Sequence, residues 1–110
     1  MLKFSKKNRL ITTKDYDRLF VKGKRLNNLY LCVIFLENEF DYPRLGLRIS
    51  KKYAKLATER NRIKRVIREH FRLNQKRLNH FDIVVIAKSG IGSLKNDDVR
   101  NYLDELWKDL

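Results

Sequence analysis

Cysteine is nearly absent from this 110-residue sequence: Cys32 stands alone, so no disulfide can form within the chain, and a reducing compartment fits. One proline and four glycines leave no room for a flexible linker or a low-complexity segment. No apolar run approaches the roughly 20 residues of a membrane span. The first ten residues, MLKFSKKNRL, are basic but lack the apolar stretch of roughly 7–15 residues that a secretory signal carries. Acidic residues are also scarce, 13 against 26 lysines and arginines, for a formal net charge of +13. A compact domain with that imbalance repels itself, which points to a polyanionic partner. What is plentiful is apolar side chain, 43% of the residues, enough for the modest core of one domain spanning residues 1–110.

The positive charge is concentrated. Residues 1–25 carry nine basic and two acidic side chains, and residues 51–77 carry eleven and two. Residues 78–110 are mildly acidic, with four and six. A surface charged only for solubility mixes its signs, so this distribution reads as one basic side of a small globule.

Periodicity gives the elements. Thr12 or Thr13 can cap a helix that runs to about Gly23, with Tyr16, Leu19 and Phe20 on one face. Residues 29–36, LYLCVIFL, read as a buried strand, and ENEFDYPR as a turn, since Pro43 cannot pair inside a sheet. Arg44–Ser50 alternates as a strand, and a short extra strand is expected near Lys24–Leu26. A helix covers about Thr58 to Leu73, and Asp82–Ala87 is a short apolar strand. Asn96 can cap a last helix whose stripe is Val99, Tyr102, Leu103, Leu106, Trp107 and Leu110. An apolar final residue on that stripe suggests that the native chain continues. The order implies an α+β fold: helices packed on a small mixed β-sheet, with one parallel pairing into the 82–87 strand.

The middle helix carries the chemistry. Along ERNRIKRVIREHFR, Ile63, Val66, Ile67, His70 and Phe71 fall on one side. Asn61, Arg65, Arg68 and Arg72 fall opposite, Arg62 and Lys64 flank them, and Arg60 sits at the apolar border. Most charge runs are ordinary solvated faces, but those interleave glutamate with lysine. Glu69 is the only acid in the run RNRIKRVIREHFR. Arginine also grips phosphate bidentately and stacks on bases.

That run resembles the signature helix of the bacterial ribonuclease P protein component. Ser50-Lys51-Lys52, RLITTKDYDRLFVKGKR, DIVVIAKSG and the LDELW ending are similar to further segments of the same family, in order and at matching spacing. The resemblance implies an α-β-β-β-α-β-α fold with a left-handed crossover, a ribosomal-protein-S5-domain-2-like arrangement. It implies a cytoplasmic protein subunit whose partners are the ribonuclease P RNA and precursor tRNA, with no membrane and no small-molecule substrate. The RNA would be the catalyst and would require magnesium; the protein would bind no cofactor and supply no catalytic residue. Carried onto this chain, the RNA-facing set is Arg60, Asn61, Arg62, Lys64, Arg65 and Arg68, with Arg72 added from helix geometry. A cleft for the single-stranded 5′ leader would hold Tyr16 and Phe20, faced by Tyr30, Cys32 and Ile34 of the central strand. Arg48, Ser50, Lys51 and Lys52 would form its polar rim. The family can carry a tyrosine near position 34, where this chain has Ile34.

Other chemistry finds little support. His70 and His80 have no nucleophile near them in sequence, and no Cys/His spacing matches a zinc site. Gly90-Ile91-Gly92 lacks the remaining glycine of a dinucleotide fingerprint. Two other readings are weighed: a structural RNA-binding protein of ribosomal type, which fits the charge and size, and a stand-alone nuclease, which the missing catalytic constellation disfavours.

Overall fold

A computed structural model describes Arg9, residues 13–78 and residues 80–110. Lys3, Lys6, Lys7 and the possible cap Thr12 lie outside the described residues. In chain order the elements are α1 (Thr13–Lys22), β1 (Lys24–Asn27), β2 (Leu31–Glu37), β3 (Arg44–Arg48), α2 (Ala57–Leu73), β4 (Phe81–Ala87), a 3-10 turn at Ile91–Ser93, and α3 (Asn96–Trp107). The four strands lie in the order β1-β2-β4-β3. β2 pairs antiparallel with β1 and β4, whereas β3 and β4 are parallel, joined through α2.

Strand composition explains the layering. β2 and β4 are the two inner strands and are covered on both faces, so residues 31–36 and 83–87 read as unbroken apolar runs rather than alternating ones. On one face Leu31, Val33, Leu45, Ile83 and Val85 pack against Ile63, Val66, Ile67 and Phe71 of α2 and against Val99, Leu103, Leu106 and Trp107 of α3. On the other face Cys32, Ile34 and Val84 lie beneath Leu19 of α1. Gly23 ends α1 where it meets β2: its N–H donates to the Leu19 carbonyl at 2.8 Å. A side chain there would strike that carbonyl and approach Ile34 Cγ2 to 2.7 Å. Close approach, rather than a special φ, demands glycine here.

Element boundaries differ from the sequence reading, β3 for one ending at Arg48 rather than Ser50. β2 begins at Leu31 rather than residue 29, because Asn28 organises a turn before it. The Asn28 Oδ1 accepts the Leu31 N–H at 2.9 Å, and its Nδ2 donates to the Tyr102 carbonyl of α3 at 2.9 Å. At α3 the cap position is Lys95, without a side-chain hydrogen bond, and Asn96 is already helical. Its Oδ1 is instead taken by Arg62 of α2.

α1 is fastened by charge. Asp82, buried on β4, accepts Arg44 Nε at 2.8 Å, Arg44 Nη2 at 2.7 Å and Asn38 Nδ2 at 2.9 Å. Arg44 reaches on to Asp15 of α1 at 3.2 Å. The pairing raises the Arg44 pKa above its ordinary value, the Asp82 hydrogen bond being the main cause. A buried acid held by a bidentate arginine is a satisfied network, not an open site.

Candidate RNA interface

α2 has the two faces that its periodicity implies. Ile63, Val66, Ile67, His70 and Phe71 are buried. Asn61, Arg65 and Arg68 are exposed on the far side and line one shallow groove with Glu69. With Lys64, they have no hydrogen-bond or ion-pair partner among the described residues. Guanidinium groups in this state are available to phosphate at little cost in broken contacts.

The remaining arginines of the set are already engaged. Arg60 Nη1 donates to the carbonyls of Ala54 and Lys55, both at 2.9 Å, and so closes the loop that enters α2. Arg62 donates to Asn96 Oδ1 at 2.7 Å and to the Gly92 carbonyl at 3.1 Å, fixing α2 to the start of α3. Arg72 is paired with Glu69 one turn earlier. That pairing raises the Arg72 pKa and lowers the Glu69 pKa. Arginine can serve structure with one edge and an anion with another, so these contacts rank the set without removing members from it. The border position of Arg60 was visible in the sequence; its carbonyl partners, in the loop before α2 and outside any helical repeat, were not.

The second surface lies on the opposite face of the sheet. Tyr16 and Phe20, half-buried and one turn apart on α1, pack over Cys32, Ile34, Val84 and Ile86. The Tyr16 ring rests on Gly46 of β3, where a Cβ would lie 2.5 Å from its hydroxyl. Arg48 lays its guanidinium carbon 4.8 Å from the Tyr16 ring centroid and 5.3 Å from that of Phe20. Ser50 follows at the end of β3, its Oγ accepting the Lys52 N–H at 3.0 Å, and Lys51 and Lys52 are exposed beside it.

The expected cleft floor is only partly realised. Cys32 faces α1 and is buried, while Ile34 is fully enclosed beneath α1 and offers no surface to a ligand. Tyr30 is not in the cleft. It precedes β2, and its ring packs edge-on against Tyr102 of α3, centroids 4.9 Å apart. The Asn28 turn, tied to α3, carries it to the other core. Two residues were missed. Ile86 supplies accessible floor, being half-buried in the cluster beneath α1. Arg25 of β1 reaches Phe20, its guanidinium carbon 6.0 Å from the ring centroid. Both could have been found from strand register, since Arg25 pairs with Ile34 and Cys32 with Ile86.

Among the described residues no three His, Cys, Asp or Glu side chains come together as metal ligands, and no helix is long and apolar enough to cross a membrane.

Comparison with known proteins agrees with this architecture. The family model for Ribonuclease P matches residues 4–110. The ribonuclease P protein component of Haemophilus influenzae is 42% identical over 107 residues, covering 97% of this chain and 90% of its own length. That of Ectopseudomonas mendocina is 46% identical over 109 residues, covering 97% and 81%. The Staphylococcus aureus RNase P protein structure superposes with a TM-score of 0.86 at 33% identity, covering 92% of this chain and 93% of that one. The Thermotoga maritima RNase P protein gives 0.82 at 37% identity, covering 93% and 96%. By sequence along nearly its whole length and by the fold those structures share with it, the chain belongs to the ribonuclease P protein component family.

Proposed function

We propose that this chain binds the RNA subunit of ribonuclease P through the outer face of α2 and holds the single-stranded 5′ leader of precursor tRNA in the cleft between α1 and the sheet. By family membership it is an RNA-binding protein component of ribonuclease P, acting in tRNA processing. In this reading the RNA cleaves, with its own magnesium, and the protein, acting in the cytoplasm, contributes affinity and positioning. The observation that supports it most is the separation of two unlike surfaces by one sheet. Arg65 and Arg68 stand unpaired on one side, suited to the backbone of a folded RNA. Tyr16 and Phe20 lie under Arg48 on the other, suited to stacked, unpaired bases.

The test is reconstitution. Purified chain is added to precursor tRNA at low magnesium, with and without ribonuclease P RNA. Leader removal stimulated only when the RNA is present supports the reading. Cleavage by protein alone would show a nuclease, and no stimulation in either arm would leave a structural RNA-binding protein.

A further inference from the structure

Three strand-borne arginines point to the α1 side of the sheet, and their partners differ. Arg44 is bonded to Asp15 and Asp82 and fastens α1. Arg48 on β3 and Arg25 on β1 are exposed and have no carboxylate partner among the described residues. Their guanidinium groups rest on rings instead: Arg48 over Tyr16 and Phe20, Arg25 over Phe20. β1 and β3 are the two outer strands of the sheet. Three strand spacings separate them, about 14 Å in all. Phe20 is thus approached by a cation from each edge.

If these arginines served only to hold α1 down, carboxylates would hold them better, as they hold Arg44. A cation on an exposed ring is bound weakly, keeps its full charge, and leaves most of its N–H donors open. What such a pair can take is an anionic chain that also presents flat groups. We propose that Arg25 and Arg48 bracket the aromatic platform and bind the leader phosphates on either side of the bases stacked there, so that the strand crosses the sheet from β3 toward β1. This rests on the cleft reading above. It assigns to the cleft a second wall, β1, and a direction for the strand.

The experiment uses holoenzyme reconstituted with ribonuclease P RNA and compares affinity for precursor and mature tRNA across a salt series. Arg25→Ala and Arg48→Ala should each lower the precursor-to-mature ratio about fivefold, and each should flatten the salt dependence of precursor binding by about 0.7 in log–log slope, the value for one single-strand phosphate contact. Arg25→Lys and Arg48→Lys keep the charge and should retain that slope. Both side chains are exposed, so circular dichroism should be unchanged. If the arginines merely cover the rings, Arg48→Ala uncovers them and raises precursor affinity; that result, or an unchanged slope in both alanine variants, overturns the bracket. Phe20→Ala is measured alongside. If it lowers the ratio while the arginine variants do not, the bracket alone fails. If it too leaves the ratio unchanged, the cleft reading fails with it.

Discussion

Trp107 donates its indole N–H to Nδ1 of His70 at 2.8 Å, across the buried seam between α3 and α2. Because Nδ1 accepts, the imidazole proton belongs on Nε2, which lies 2.9 Å from Asp104 Oδ1. Asn74 Nδ2 also points at Nδ1, from 3.2 Å. A proton on Nδ1 would face both donors. Burial lowers the His70 pKa below its ordinary value; Asp104 opposes this and Arg100 adds to it.

The stability of the domain should therefore depend on pH through His70. The native state favours the neutral ring, while the unfolded chain takes up its proton at about pH 6.5. Below that value the unfolded state binds more protons, so stability falls as pH drops from about 6.5 to the lower native pKa, and levels off beneath it. Urea unfolding at several pH values between about 7.5 and 5 measures this. His70→Leu should be less stable at every pH, since Trp107 loses its acceptor, and the slope in that window should shrink. An identical slope in wild type and variant would show that His70 does not titrate as its contacts require.

Arg65→Ala and Arg68→Ala should weaken ribonuclease P RNA binding and leave melting unchanged, because both side chains are exposed opposite the buried Ile63 and Ile67. Wild-type binding should drop steeply with salt. About six phosphate contacts correspond to roughly a thousandfold between 50 and 200 mM, by analogy with duplex DNA. A flat salt profile would remove the electrostatic basis of the α2 interface.

Arg62→Ala should behave differently from its neighbours. It strips the Gly92 carbonyl and Asn96 Oδ1 of their donor, where α2 meets α3. A loss of roughly 1–2 kcal/mol in unfolding free energy is expected. Arg62→Lys should recover little of it, since one ammonium on a flexible stem does not reproduce the two-pronged contact. Equal stability of Arg62→Ala and Arg65→Ala would mean that the contacts to α3 contribute nothing.

How far the sequence was legible follows from which forces act locally. The buried face of α2 was readable residue by residue, because a 3.6-residue repeat projects directly onto one helix. The short strand β1 was also visible, near Lys24–Leu26. Tyr30 was misplaced because extending β2 by two residues fixed its facing by alternation, whereas a turn held by Asn28 and α3 decides it. Ile34 was rightly put on the α1 face, but its complete burial depends on how closely Gly23 lets the helix approach. Arg60 and Arg62 look like their neighbours in sequence; their partners lie in the entry loop and beside α3, and no periodicity reports such contacts.

Gly46 offers the sharpest test of the cleft geometry. A Cβ on Gly46 would lie 2.5 Å from the Tyr16 hydroxyl and 2.9 Å from Cε1 and Cζ of that ring. β3 is held in register with β4 from Arg44 to Arg48, so the half-buried ring is the part that gives way. Gly46→Ala should cost roughly 1–3 kcal/mol from overpacking and push Tyr16 away from its seat beneath Arg48. The precursor-to-mature affinity ratio of the holoenzyme should fall, while affinity for ribonuclease P RNA holds, since α2 packs on the opposite face of the sheet. The decisive measurement is a double-mutant cycle. With Tyr16→Ala in place the clash is gone, and Gly46→Ala should then be neutral or stabilise by about 0.5–1 kcal/mol, as alanine restricts the unfolded chain more than glycine does. Should Gly46→Ala destabilise equally with and without the Tyr16 ring, that ring does not lie on Gly46, and the aromatic platform is misplaced.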